Sequence, residues 1–177
     1  MPTYAIDPVH SIVEFAVKHM KVSMVKGRFL GLEGWLHVDE GTPAKSWVEV
    51  KIKAAGVDTG VAERDEHLRS ADFLNASLFS QIRFRSTKVE RVNTEADHWK
   101  IYGDLTVHGI TREVTLDATL EGRMVDVDFK ERVGFSAETQ LNRRDFGINW
   151  NGFMGRYLVG DDVKVAINIE AQRSGAD

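Results

Sequence analysis

Apolar and polar residues alternate with a period of two through most of this chain of 177 residues. In the first alternating segment Val13, Phe15 and Val17 share one face, while Glu14 and Lys18 share the other. A β-strand sends successive side chains to opposite faces, so such a segment has one dry and one wet face. Antiparallel sheets have this pattern, whereas buried parallel strands are apolar on both faces. The same pattern recurs in residues 47–53, 82–85, 114–120 and 163–169. The sequence therefore predicts an all-β fold with antiparallel strands.

Turn signals separate several of these segments. His108-Gly109 lies between two of them, and glycine tolerates the positive φ of a tight hairpin. Residues 121–123 are interpreted as a second turn. Glycines at positions 27, 31 and 34 interrupt a strand pattern that runs over residues 22–38. Glycine inside a strand marks a bulge or bend, which predicts a long strand that coils around a barrel.

Composition limits the class of protein. No linker or low-complexity run divides residues 1–177, so we expect one domain. A net charge of −4 with scattered basic residues argues against a nucleic-acid partner. The lack of cysteine excludes disulfides, zinc–thiolate sites and cysteine nucleophiles. The sequence has neither a signal-peptide pattern nor an apolar run of about 18 residues. We therefore expect a cytoplasmic protein without an integral membrane segment.

One charged segment, residues 57–73, is compatible with a helix rather than a strand. The Thr59 hydroxyl is expected to cap its first turn, and Asp65 and Arg69 to pair at i,i+4. Its apolar stripe is predicted to consist of Val61, Leu68 and Ala71. Such a helix can lie on the barrel wall as a connector or close one barrel end as a lid. The apolar residues at positions 73, 74, 78 and 79 favour the lid.

Motifs for catalysis are incomplete. Asp145-Phe146-Gly147 matches the kinase magnesium motif, but the sequence lacks every other kinase motif. We therefore expect a structural role, in which Arg144 pairs with Asp145 and Phe146 enters the core. No two histidines have the spacing of a helical zinc motif. Asp161-Asp162 is interpreted as a solvated turn. No serine nucleophile elbow is present. We therefore predict no catalytic residue, no metal and no cofactor.

Six blocks of sequence follow one another along the chain. They are Ile6-Asp7-Pro8-Val9-His10-Ser11, Phe15-Ala16-Val17-Lys18-His19-Met20, Val25-Lys26-Gly27-Arg28-Phe29, Asp58-Thr59-Gly60 with residues 64–73, Leu105-Thr106-Val107-His108-Gly109-Ile110-Thr111, and Asn142-Arg143-Arg144-Asp145-Phe146-Gly147-Ile148. Within the fourth block, Arg64-Asp65-Glu66-His67-Leu68-Arg69 is the most specific run. Together these blocks, from Tyr4 to about Ala171, resemble the YceI-like family of bacterial proteins.

The resemblance implies an extended, lipocalin-like antiparallel β-barrel of about eight strands with a helix capping one end. It also implies a hydrophobic lumen for long-chain amphiphiles, of which polyisoprenoids are the best-known class, and a homodimer. The expected lumen residues are Val13, Phe15, Val17, Phe29, Ile82, Phe84, Leu105, Phe135 and Trp150, with Leu68 and Phe73 closing the lumen. Polar residues expected to hold the helix or contact a head group are Arg64, Asp65, His67 and Arg69; His19 is a further ligand-facing candidate.

Three functions follow from this fold. The first is non-enzymatic carriage or sequestration of a long-chain lipid, driven by the removal of hydrocarbon from water. The second is an enzyme that modifies a lipid or small aromatic in the same cavity, for which His19, His67 and Arg64 are the available polar groups. The third is a barrel filled by its own side chains that acts through its dimer surface. The size of the internal cavity distinguishes the third from the first.

Overall fold

A computed structural model describes residues 2–93, 95–151 and 159–175 of the protein. The strands are β1 (Tyr4–Ile6), β2 (Ile12–His19), β3 (Ser23–Phe29), β4 (Leu32–His37), β5 (Trp47–Lys53), β6 (Val57–Asp58), β7 (Gln81–Asn93), β8 (His98–Val107), β9 (Ile110–Val125), β10 (Glu131–Asn142) and β11 (Val159–Arg173). One α-helix, α1 (Ala62–Arg69), precedes β7, and short 3₁₀ turns cover Pro43–Lys45, Ala54–Gly56 and Arg143–Phe146. Within these described ranges, no helix has the length and apolar character needed to cross a bilayer.

The strands form a closed antiparallel barrel. Both β1 and β2 pair with β11, at its opposite ends, and they pair in turn with β4 and β3. Strands β5 and β6 form the next wall, since β5 pairs with β4 and β6 pairs with β3. The pairs β1 and β2, β3 and β4, and β5 and β6 each form one interrupted strand of the barrel. Counted in this way, eight strands follow one another around the barrel in chain order, and the last pairs with the first. The pairing of β1 with both β4 and β11 closes the barrel, while β6, among the described residues, is paired on one side only, with the end of β3. The predicted fold class is confirmed.

Glycine permits two of the predicted bends in the barrel. The predicted long strand over residues 22–38 divides into β3 and β4 at Gly31, whose φ of +80° is left-handed. The turn at His108 and Gly109 is confirmed, with φ values of 54° and 72°. The predicted turn at residues 121–123 was wrong, because these residues continue β9. The chain turns further along, where the Asp126 carboxylate accepts hydrogen bonds from two backbone N–H groups.

A charged network on the outer surface ties β1, β10 and β11 together. Arg132 of β10 donates to Asp7, just after β1, at 3.1 Å, and to Glu170 of β11 at 2.8 Å. It also donates to Asp126 at 2.8 Å. The hydrogen bond with His10 is the main reason that the pKa of Asp7 falls from 3.8 to about 2, and the same bond raises the pKa of His10. The network therefore strengthens the barrel where its first and last strands meet.

We expect this network to give the folded state a specific acid dependence. Because the pKa of Asp7 is lower in the folded state, its stabilising contribution is complete above pH 3.8 and is lost as the pH falls toward about 2. The contribution of His10 is also stabilising but has the opposite pH dependence. It is present below pH 6.5 and is lost as the pH rises through the raised folded-state pKa. Urea denaturation at a series of pH values should show the stability difference between wild type and Asp7→Asn shrinking below pH 3.8. A difference that is constant with pH would contradict this assignment.

Candidate functional site

A cavity of about 510 Å³ lies inside the barrel. This volume falls within the range of small-molecule sites, roughly 300–1,000 Å³. The cavity walls are the apolar inward side chains of the barrel strands, and they extend from β2 and β3 around to β11. This cavity disagrees with the third function expected from the sequence, a barrel filled by its own side chains.

All fourteen residues predicted to face a ligand line this one cavity. They are Val13, Phe15, Val17, His19, Phe29, Arg64, His67, Leu68, Phe73, Ile82, Phe84, Leu105, Phe135 and Trp150. The strand residues among them arrive there because the period of two places every second side chain inside the barrel. Their contact with a ligand stays a prediction.

Helix α1 is shorter than predicted and begins differently. Its N-cap is Val61, which makes no side-chain capping bond, so the predicted Thr59 cap was wrong. The Thr59 hydroxyl instead donates to Asp65 Oδ1 at 2.5 Å and accepts from Arg64 Nε at 2.7 Å. These local bonds compete with capping for the same oxygen. They hold the segment before the helix against the first helical turn.

The predicted apolar stripe and the predicted ion pair of α1 were also wrong. Ala71 lies beyond the end of the helix and Val61 is exposed, so only Leu68 of that stripe lines the cavity. Arg69 does not pair with Asp65. Its guanidinium donates to the backbone carbonyls of Ala55 and Val57, at 2.9 and 3.3 Å, which fastens the helix to the chain around β6.

Three aromatic rings come together where α1 meets the cavity. The His67 ring lies edge-on to Phe73 and to Trp150, with ring centroids 5.0 and 4.7 Å apart. His67 Nε2 also lies 2.8 Å from the Asp72 carboxylate, which orients the imidazole. Because all three rings line the cavity, the geometry agrees better with a lid than with a wall-side connector. The sequence of residues 150–155 is rich in aromatic residues and glycine, which suggests a rim at the barrel mouth, but residues 152–155 lie outside the described part of the chain.

Arg143, just after β10, is a buried cation that was not predicted as a site residue. Its guanidinium donates to four backbone carbonyls, those of Ile148, Trp150, Val159 and Gly160, at 2.6–3.2 Å. Burial lowers the pKa of Arg143. The hydrophobic pattern gives no signal for it, because a pattern search treats arginine as a surface residue. Arg143 joins the chain before residues 152–158 to the start of β11.

Two sequence interpretations near Arg143 were wrong. Arg144 Nε donates to Asp161 at 2.8 Å instead of pairing with Asp145. Asp161 and Asp162 belong to β11 and not to a turn. The predicted burial of Phe146 is confirmed, and its side chain lines the cavity. The strand is longer than the alternation suggested, so its first acidic residues are within reach of the arginines after β10.

The charged side chains along the cavity are all basic. They are Lys18, Arg64 and Arg143, and no carboxylate residue lines the cavity in the described ranges. These cations lie at the α1 end, where His19 of β2 pairs with Val159 of β11. The rest of the lining is almost entirely apolar. The cavity is therefore a hydrocarbon-like tunnel with a basic end.

One cluster has metal-ligand residue types, but it lies outside the cavity. Ligand atoms of Asp7, His10 and Glu170 lie within 4.8 Å of one another on the outer surface. The guanidinium of Arg132 already donates to both of these carboxylates. A metal cation would face the charge of that guanidinium, so the cluster fits a salt-bridge network better than a metal site.

Comparison with known proteins agrees with this architecture. Protein YceI of Escherichia coli O157:H7 is 43% identical over 147 residues, which cover 82% of this chain and 75% of that protein. The crystal structure of the Campylobacter jejuni YCEI protein has 30% sequence identity and a TM-score of 0.77, and it covers 89% of this chain and 90% of that one.

A third comparison concerns the fold alone. A polyisoprenoid binding domain from Saccharophagus degradans is 13% identical, with a TM-score of 0.69 over 97% of this chain and 98% of that one. The family described as the YceI-like domain matches residues 4–171. This match covers almost the whole barrel, from β1 to most of β11. The chain therefore belongs to the YceI-like family.

Proposed function

We propose that this protein binds a long-chain apolar amphiphile, a polyisoprenoid or a similar lipid, with the chain inside the barrel and the head group at the α1 end. The observation that carries the proposal is the apolar cavity of about 510 Å³ with its basic end. The polyisoprenoid class is suggested by the polyisoprenoid binding domain from Saccharophagus degradans, whose fold this chain shares. Membership of the YceI-like family supports the same class of ligand.

Hydrocarbon burial supplies the binding energy. Each methylene removed from water contributes about 0.8 kcal/mol before ordering costs, and a net gain of about 0.3 kcal/mol per ligand atom remains typical of large ligands. A lipid of about 30 heavy atoms would then bind with roughly −9 kcal/mol, which corresponds to a Kd below micromolar. Such binding needs only an apolar wall along the chain, as the inward faces of the strands provide.

The basic end favours an acidic head group, such as a phosphate or a carboxylate. The Arg64 guanidinium is bound to neutral oxygens of Thr59, so its charge is not cancelled by those bonds. Arg143 binds four neutral carbonyls and also lies 3.4 Å from the Asp161 carboxylate, which offsets part of its charge. Lys18 adds a third positive charge at the same end, where the carboxylates at the start of β11 lie beside it. An anion beside these groups gains electrostatic energy in surroundings that burial makes less polar than water.

The polar groups of the cavity favour binding over catalysis. His67 is bound to Asp72, Arg64 to Thr59, and Arg143 to four carbonyls. Neither arginine can act as a general base, because a guanidinium stays protonated, which leaves His67, oriented by Asp72, as the one base among these three groups. We therefore favour carriage or sequestration over chemistry. A homodimer and a cytoplasmic location stay predictions.

Analysis of copurifying lipids tests this proposal. Protein purified gently from its own host should show, by native mass spectrometry, a recurrent bound mass near one per chain. Organic extraction should release a long-chain species with an acidic head group. Binding of fluorescent lipid probes to delipidated protein is the second measurement. Protein that carries no lipid and binds none of these probes would refute the proposal.

A further inference from the structure

We propose that the β2–β3 hairpin, residues 15–32, docks this protein on an anionic lipid bilayer. This docking goes beyond lipid binding in the cavity, and its biological purpose rests on the proposed function. Three features of the hairpin support docking: its charge, its exposed apolar side chains and its position beside the basic end of the cavity.

The hairpin is basic over its whole length. Residues 15–32 carry Lys18, Lys21, Lys26 and Arg28, and the one acidic residue of β2 and β3 is Glu14, which lies opposite Arg28 at the far end of the hairpin from its turn. The flanking strands supply a few carboxylates: Arg28 is bound to Asp58 at 3.3 Å, and the carboxylates at the start of β11 lie beside Lys18. Even so, the charges between Phe15 and Leu32, the part of the hairpin around its turn, are all positive. Clusters of basic residues of this kind are attracted to anionic lipid head groups.

Apolar side chains accompany these charges at the tip. Val22 is 82% exposed, Met20 52% and Met24 40%. Met20 and Lys21 both have positive φ, at 52° and 60°, in the three-residue connection between β2 and β3, a backbone conformation that asparagine and glycine adopt more readily. In water, an exposed methionine at a position with positive φ gives the turn no stabilising contact and carries a conformational cost. Basic residues beside exposed apolar ones are the surface composition of segments that lie in a membrane interface.

The hairpin adjoins the cavity. Its residues Lys18 and His19, both exposed, also line the cavity. His19 pairs with Val159, the first residue of β11, and Arg143 binds the carbonyl of that same residue. A bilayer in contact with this hairpin would therefore lie against the basic end of the cavity, where a lipid can pass with little of its chain exposed to water.

A second exposed hairpin, between β9 and β10, provides a contrast within the same chain. Phe129 is 91% exposed and Val127 is 92% exposed. Its residues 121–131 include four acidic and two basic residues, so this hairpin is net negative. It lies at the opposite end of the barrel, because β10 begins beside the last residues of β11. An anionic surface attracts the first hairpin and repels the second.

Vesicle flotation tests the docking surface directly. Full-length protein is mixed with phosphatidylcholine vesicles that contain increasing fractions of phosphatidylglycerol. Binding should rise with the anionic fraction and weaken with salt. The variant Lys21→Gln/Lys26→Gln should bind about 30-fold more weakly, at about five-fold for each basic residue near the surface. The variant Met20→Gln/Val22→Gln should lose at least about ten-fold.

The variant Val127→Gln/Phe129→Gln is the matched control, and it should bind vesicles like the wild type. Failure of the wild type to float at any lipid composition would overturn docking, as would an equal loss in the control. A different outcome is that wild type does not bind vesicles and that Met20→Gln/Val22→Gln converts a dimer into a monomer in sedimentation. In that case the hairpin is an interface between copies of this chain, and docking is wrong. Fluorescent lipid binding without vesicles, measured on every variant, tests the proposed function separately and should not change.

Discussion

Replacing Arg143 with methionine should lower the free energy of unfolding by about 3–5 kcal/mol, the size expected when a buried charged donor is removed from its partners. The guanidinium satisfies four backbone carbonyls, and methionine can donate to none of them. With these carbonyls left in a poorly solvated environment, the midpoint of thermal unfolding should fall by roughly 6–20 °C for a chain of this size. Urea and thermal denaturation followed by circular dichroism measure both quantities.

The neighbouring residue provides the control. Arg144→Met removes an exposed ion pair with Asp161, and pairs of this kind contribute about 0–1 kcal/mol. Arg143→Lys should be closer to Arg143→Met than to wild type, because an ammonium with three donors cannot reach four carbonyls arranged around a planar guanidinium. Equal losses for Arg143→Met and Arg144→Met would show that burial of Arg143 contributes little.

The role of Arg143 could not be predicted from the sequence, whereas the strands could. The strands could be predicted because each contributes an inward and an outward face, and this periodicity can be read without knowing any contact. The same rule places Val13, Phe15 and Val17 inside the barrel, where they line the cavity. A buried arginine that binds backbone carbonyls breaks the rule, since its partners depend on the path of the chain and not on a pattern.

Helix α1 shows the same limit on a smaller scale. The residue types around Thr59 permitted a capping bond, but the hydroxyl binds Asp65 instead. The sequence likewise contained Asp65 and Arg69 at a favourable spacing, and backbone carbonyls near β6 compete successfully for the arginine. Local propensity describes what a segment can do alone. Tertiary contacts then decide among the options, which also explains why Arg143 at the basic end of the cavity was not predicted, although Arg64 was.

The largest effect on ligand binding should come from filling the cavity. Ala137 of β10 is buried, lines the cavity and lies directly opposite Ala118 of β9. A tryptophan at position 137 would occupy the space of about four methylenes of a bound chain, which is worth about 3 kcal/mol, or roughly 100-fold in affinity. Substitution with leucine, phenylalanine and tryptophan in turn should weaken binding of a fluorescent lipid progressively.

The adjacent residue allows a matched comparison, because Glu138 is exposed on the outer face of the same strand. Glu138→Trp adds the same side chain outside the barrel and should leave the affinity unchanged. Filling empty space costs little stability where the new ring meets no packed neighbour, so the melting temperature of Ala137→Trp separates a blocked cavity from a disrupted fold. If all three substitutions at position 137 keep wild-type affinity in a folded protein, the ligand does not lie in the barrel. In that case the apolar interior serves the fold alone, and lipid binding has to be sought on the outer surface.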